Sequence, residues 1–162
     1  VTLGKSIGNG HPLSLVATTT EIAEKFDNGM EYFNSYGGNP VSCAIGHAVL
    51  KIIDDEDLQS RSEKVGKKLK SMLNKLQKNH EIIGEVRGMG LFIGVEFIDR
   101  GNKLKPNSTD AASIVNAMKN RGILLSVDGP DKNVIKIKPP MVFNDENATF
   151  LVENLEAALS DY

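Results

Sequence analysis

Two short stretches of this 162-residue chain hold side chains able to do chemistry. In the first, TLGKSIGNGHP, a lone lysine, Lys5, stands between a short apolar run and a glycine-rich bend. A lysine so placed has three readings: a solvated loop residue, a phosphate ligand or a reactive amine. In a partly dry pocket the neutral amine is favoured, and a neutral amine condenses with a carbonyl. In the second, FNSYGGNP, the hydroxyl of Ser35 precedes two glycines and a capped helix start. That pattern suits a phosphate approached by backbone N–H donors. It equally suits a plain glycine-rich connection. Taken together, the two stretches point to a cofactor carrying both an aldehyde and a phosphate.

Other chemistries find little support. His11, His47 and His80 are far apart and share no ligand spacing with Cys43, so no metal site is expected. There is no G-x-S-x-G elbow, and GKSIGNG is not a phosphate-binding P-loop because its lysine precedes the glycines. The acidic run Asp54–Asp57 sits at a helix start, where the helix dipole explains it. With 19 basic and 21 acidic residues the net charge is -2, which argues against a nucleic-acid or anionic-membrane partner. A single cysteine, Cys43, forms no internal disulfide and fits a reducing setting. A cytoplasmic location is expected on that ground, with a mitochondrial one left open.

The elements that must position these groups follow from periodicity and punctuation. A short helix is expected over 20–26, and a longer one from the Asn39-Pro40 cap to about Ile53. A lysine-rich amphipathic helix follows from about Asp57 to Lys78. EIIGEVRGMGLFIGVEFI reads as two strands about a Gly88-Met89-Gly90 turn, and the polar stretch 99–107 as a loop. A helix capped by Ser108 or Thr109 ends at Gly122; ILLSV and NVIKIK are strands, and a last helix starts at Asn144 or Asp145. Residues 81–162 are therefore expected to form a small α+β domain, with about four strands covered by helices on one face. Residues 55–80 read as a connecting helix, and 1–54 as the closing part of a larger α/β domain. Val1-Thr2-Leu3 looks like the end of a buried strand, so the chain is expected to be the C-terminal part of something longer.

Four stretches in order, TLGKSIGNGHP, YFNSYGGNPVSCA, VRGMGLFIGVEF and IKIKPPMVF, resemble the successive C-terminal landmarks of class-III aminotransferases. These are pyridoxal-phosphate (PLP) enzymes of fold type I. The resemblance covers essentially the whole chain, and its specificity lies in the order of the four. It implies an α/β parent fold and makes Lys5 the Schiff-base lysine, which becomes the base moving a proton between substrate and cofactor carbons. Ser35 falls where the family usually has a threonine that binds the phosphate of the neighbouring subunit's PLP, so a homodimer is implied. Lys136 falls where many members have an arginine that grips a substrate carboxylate. Lysine keeps the charge and loses the planar fork, and the residue is also readable as a plain exposed strand lysine. Arg87 and Met89, at a turn near the family's substrate entrance, are expected to be structural.

The activity so implied is transfer of an amino group from an amine or amino acid to an oxo acid. GILLSVDGPDKNVIKIKPPMVF is similar to the branch holding alanine-glyoxylate aminotransferase-like proteins and phospholyases. Elimination of phosphate from an amino-alcohol phosphate is therefore the alternative, since such a substrate can lack the carboxylate that an arginine would hold. In the family the aspartate facing the ring nitrogen, the stacked aromatic and the main phosphate loop all lie upstream of the lysine. The chain alone is accordingly expected to be inactive, and a non-catalytic fragment or dimerisation module is a third reading.

Overall fold

The computed structural model describes residues 1–161. They divide into two compact units, Val1–Asp57 and a second beginning at Leu58.

In the first unit, β1 (Thr2–Leu3) pairs antiparallel with β2 (Leu15–Val16), and a 3-10 turn, Lys5–Gly8, lies between them. The helix α1 (Thr20–Phe26) buries none of its residues. The helix α2 (Pro40–Asp55) starts where the sequence places it: Asn39 caps it, Oδ1 accepting the N–H groups of Val41 and Ser42 at 3.0 and 3.2 Å, and Pro40 occupies the first turn. Its periodic apolar stripe is not covered, however. Val41 and Ile52 are exposed, and within α2 only Gly46 is buried. Burial in this unit centres on Ile7, Gly8 and Gly46.

The second unit contains α3 (Leu58–Asn79), β3 (Ile83–Met89), β4 (Phe92–Asp99), β5 (Asn102–Pro106), α4 (Ser108–Asn120), β6 (Ser126–Asp128), β7 (Val134–Ile137) and α5 (Asp145–Ser160). Its antiparallel sheet runs β3-β4-β7-β6, with β5 paired to β4. Alternation along the strands sends Val86, Ile93, Val95, Phe97, Ile135 and Ile137 to a buried face. Leu69 and Leu73 of α3, Ile114 and Met118 of α4, and Leu155 of α5 meet them there. Each such side chain contributes about 1.5–3 kcal/mol on leaving water. The opposite face carries Glu85, Arg87, Phe92, Gly94, Glu96 and Lys136, none of them buried.

Four local expectations are corrected. The β3–β4 turn is Gly90-Leu91, because Met89 pairs with Phe92; Gly90, at φ +54, takes the first loop position, where an L-side chain is disfavoured. The stretch 99–107 is not all loop: Asn102–Pro106 adds a fifth strand, whose residues are all exposed and so show no apolar alternation. ILLSV is extended only from Ser126, and α4 is capped by Asn107, one residue earlier than expected. The lysine-rich helix spans Leu58–Asn79 and packs on β3, β4 and α5.

Candidate active site

Lys5 opens the 3-10 turn directly after β1, with φ at +54. This left-handed region is uncommon for a residue with a Cβ, and its occupants cluster at functional positions. The side chain is exposed and its ammonium has no hydrogen-bond or ion-pair partner among the described residues. The bend that follows is ordered. Ser6 O accepts Asn9 N–H and Gly8 O accepts His11 N–H, both at 3.0 Å, while Ile7 and Gly8 are buried. Two contacts dock this segment on α2. Leu13 packs so closely on Gly46 that a Cβ there would lie 2.5 Å from Leu13 Cδ2. His11 Nε2 lies 2.8 Å from Ser42 Oγ.

Ser35 lies in the loop before α2, exposed, its hydroxyl without a partner among the described residues. The backbone donors around it are partly committed: Asn34 Oδ1 accepts the N–H groups of Tyr36 at 3.1 Å and Gly37 at 3.0 Å. The hydroxyl of Ser35 and the N–H groups of Ser35 and Gly38 remain available to a phosphate. A cleft of about 520 Å³ runs between the His11–Ser14 segment and the Asn34–Asn39 loop, and Cys43 lines it. Neither Lys5 nor Ser35 lines it, so this unit does not gather the two residues into one cleft.

Lys136 sits on β7 in the second unit, on the sheet face away from the helices. Its ammonium donates to Asp128 Oδ2 at 2.6 Å. That bond, then the Gly129 N–H, holds the Asp128 carboxyl below the ordinary carboxylate value. Pairing places Arg87 beside Gly94 and Gly94 beside Lys136, a row across three strands. Arg87 bonds Glu96 and, at 2.8 Å, Glu85, and Glu96 chiefly raises its already high pKa. With no side chain at Gly94, a groove of about 350 Å³ opens between the two cations. Both are neutralised in place. The sequence reading missed Asp128 and Glu96; the signal was available in the Asp128-Gly129 turn, which folds β6 back on β7.

Among the described residues no group of three or more His, Cys, Asp or Glu could hold a metal ion. Among the described residues no helix is long and apolar enough to cross a membrane.

Residues 1–159 match the family model described as aminotransferase class-III. The chain belongs to the class-III aminotransferase family. It is 46% identical over 161 residues to ethanolamine-phosphate phospho-lyase homolog 1 of Caenorhabditis elegans, covering 99% of this chain and 34% of that protein. It is 49% identical over 150 residues to an alanine–glyoxylate aminotransferase 2-like protein of Drosophila melanogaster, covering 91% of this chain and 30% of that one. Among solved structures it superposes on a phospholyase from Arthrobacter in complex with phosphoethanolamine, with a TM-score of 0.95 and 38% identity, covering 99% of this chain and 38% of the other. The chain thus spans about a third of the length of the curated relatives it matches. Its fold is that part of the fold-type-I PLP-dependent transferase architecture.

Proposed function

We propose that the protein containing this class-III aminotransferase segment moves an amino group from an amine or amino acid to an oxo acid, using PLP held by Lys5. The observation that carries this is Lys5 itself: an exposed amine with no competing partner among the described residues, on an ordered turn whose backbone departs from the ordinary regions. When bound, PLP supplies an aldehyde carbon and an electron sink for bond breaking at the amine-bearing carbon. Lys5 would hold the cofactor through its amine. The Lys5 amine, once free, would act as the base that takes a proton from the amine-bearing carbon of the substrate and delivers it again.

The Ser35 hydroxyl would donate to the cofactor phosphate, and we assign that phosphate to a second subunit, giving a homodimer. That the first unit does not gather Lys5 and Ser35 into one cleft supports this reading. The lone, exposed thiol of Cys43 supports a location inside the cell.

One observation favours a second reaction. Where the family commonly has a carboxylate-gripping arginine, this chain has Lys136, already neutralised by Asp128. Such a cation is a weak clamp for a substrate carboxylate. An amino-alcohol phosphate such as phosphoethanolamine has none, and the worm and Arthrobacter proteins carry phospho-lyase names. Lys5 would again take the proton from the amine-bearing carbon, while the neighbouring carbon loses inorganic phosphate with its bonding pair.

The test is absorbance with added PLP, comparing the chain with Lys5→Ala. A band lost in the variant supports the Lys5 assignment, and one retained in it removes that assignment. In the full-length protein, an oxo acid formed from an amino acid marks amino transfer, and inorganic phosphate from phosphoethanolamine marks elimination.

A further inference from the structure

The hydrogen bond between His11 and Ser42 has no part in the chemistry above, yet it joins the two segments that chemistry needs. His11 closes the bend that begins at Lys5, its N–H donating to Gly8 O at 3.0 Å. Ser42 lies in the first turn of α2, immediately after the loop that carries Ser35, Gly37 and Gly38. The Ser42 backbone N–H is already accepted by Asn39 Oδ1 at 3.2 Å. Its hydroxyl is therefore the group through which another segment can reach the helix start. His11 Nε2 reaches it at 2.8 Å, and both residues are half-buried. The ring's tautomer sets the direction: either Nε2–H donates to Oγ, or the serine O–H donates to a bare Nε2.

We propose that His11 is a positioning residue for the phosphate loop. By bonding Ser42 it fixes the start of α2, and with it the Asn34–Asn39 turn, against the Lys5 segment. This rests on the reading that Lys5 and Ser35 serve PLP. The first unit needs such a tie because it buries little apolar surface: α1 buries nothing, and in α2 only Gly46 is buried. Leu13 against Gly46 supplies a second attachment one turn further along α2. That contact is apolar and leaves the first turn free to pivot; the His11–Ser42 bond is directional and holds it. The loop itself is pinned only locally, by Asn34 and Asn39 accepting N–H groups within three residues of themselves. Those bonds shape the turn without placing it on the lysine segment.

The test has two readouts on the chain and on His11→Phe, His11→Gln, Ser42→Ala and the His11→Phe/Ser42→Ala double variant. The first is backbone hydrogen exchange of residues 34–43, with the Ile93–Phe97 amides of the second unit as the check that each variant is folded. Loss of one net hydrogen bond corresponds to about three- to tenfold faster exchange. His11→Phe and Ser42→Ala should each show that, the double variant should be no worse than either alone, and His11→Gln, which keeps a hydrogen-bonding group, should recover most of the protection. The second readout is the fraction of Lys5 carrying PLP after borohydride reduction, which should fall in the Phe and Ala variants and recover in Gln.

Unchanged exchange, or additive effects in the double variant, overturns the tether. Altered exchange with unaltered PLP uptake overturns its role in positioning the phosphate loop. If the unaltered chain takes no PLP at Lys5, the cofactor reading fails and the ligand half of this proposal fails with it, while the exchange pattern still decides whether His11 holds α2.

Discussion

Lys136 and Asp128 meet diagonally across the β6–β7 hairpin, ammonium to carboxylate at 2.6 Å. The pairing holds the Asp128 carboxyl below its ordinary value. A carboxyl whose folded value is depressed stabilises the fold above the unfolded value and loses that contribution as pH falls through the folded one. The window here lies at the acid edge of the carboxylate range, and the effect is small because Asp128 is exposed to solvent and Lys136 only half-buried. Lys136→Met should move the Asp128 titration, followed by carboxyl NMR, upward toward the ordinary value. An unmoved titration would mean that the pair does not persist in solution.

Gly66 of α3 sits against the β3–β4 turn, where a Cβ would lie 2.0 Å from the Gly90 carbonyl oxygen. Alanine favours a helix by about 1 kcal/mol over glycine. Forcing a methyl group against backbone costs about 1–3 kcal/mol, and neither the helix nor the two-residue turn can yield easily. Gly66→Ala should therefore lower stability in urea denaturation. A more stable variant would show that α3 does not approach the turn so closely.

Asn133 is buried, 3% exposed, and its Nδ2 donates to Phe97 O at 2.8 Å. Asn133→Asp turns an acceptor toward that carbonyl and places a carboxylate near Glu96. The cost at neutral pH should be about 2 kcal/mol or more. Burial raises the new carboxyl's value, so the deficit should shrink as pH falls and the group takes up a proton. A deficit independent of pH would contradict this account.

The second unit holds the hydrophobic core and the first buries little, so their resistance to opening should differ. Limited trypsin digestion should cut first after Lys25, on a helix with no buried residue, and leave a resistant product beginning near Leu58. Equal resistance of both units would show that the first is held more firmly than its own contacts provide.

The second unit was legible because its signals are strong and local. Strict alternation at Ile93, Val95 and Phe97, helical spacing at Leu69 and Leu73, and the Asn144 cap each name an element without reference to the others. The Asn102–Pro106 strand was not legible, since a polar, exposed edge strand carries no buried face to imprint the sequence. At the candidate site, Lys5 and Ser35 were found by residue type beside punctuation, and Lys136 only through the family resemblance. The partners that shape them were not. Asp128 is brought to Lys136 by strand pairing, which the Asp128-Gly129 turn signals without naming the partner, and Ser42 to His11 by the docking of a bend on a helix, which leaves no local pattern. The spacing from Val41 to Ile52 named the helix, but periodicity reports an apolar face and not what covers it, and Val41 and Ile52 are exposed.

The central claim is that Lys5 is the cofactor's lysine. Its most direct test is to saturate the chain with PLP, reduce with borohydride and map the modified lysines by peptide mass spectrometry, with Lys5→Ala as control. The account predicts that label at Lys5 exceeds that at every other lysine, and that Lys5→Ala loses this excess while the remaining surface label is unchanged. Label spread evenly over the lysines of α3 and the rest of the surface, with Lys5 no higher than its neighbours, would contradict it.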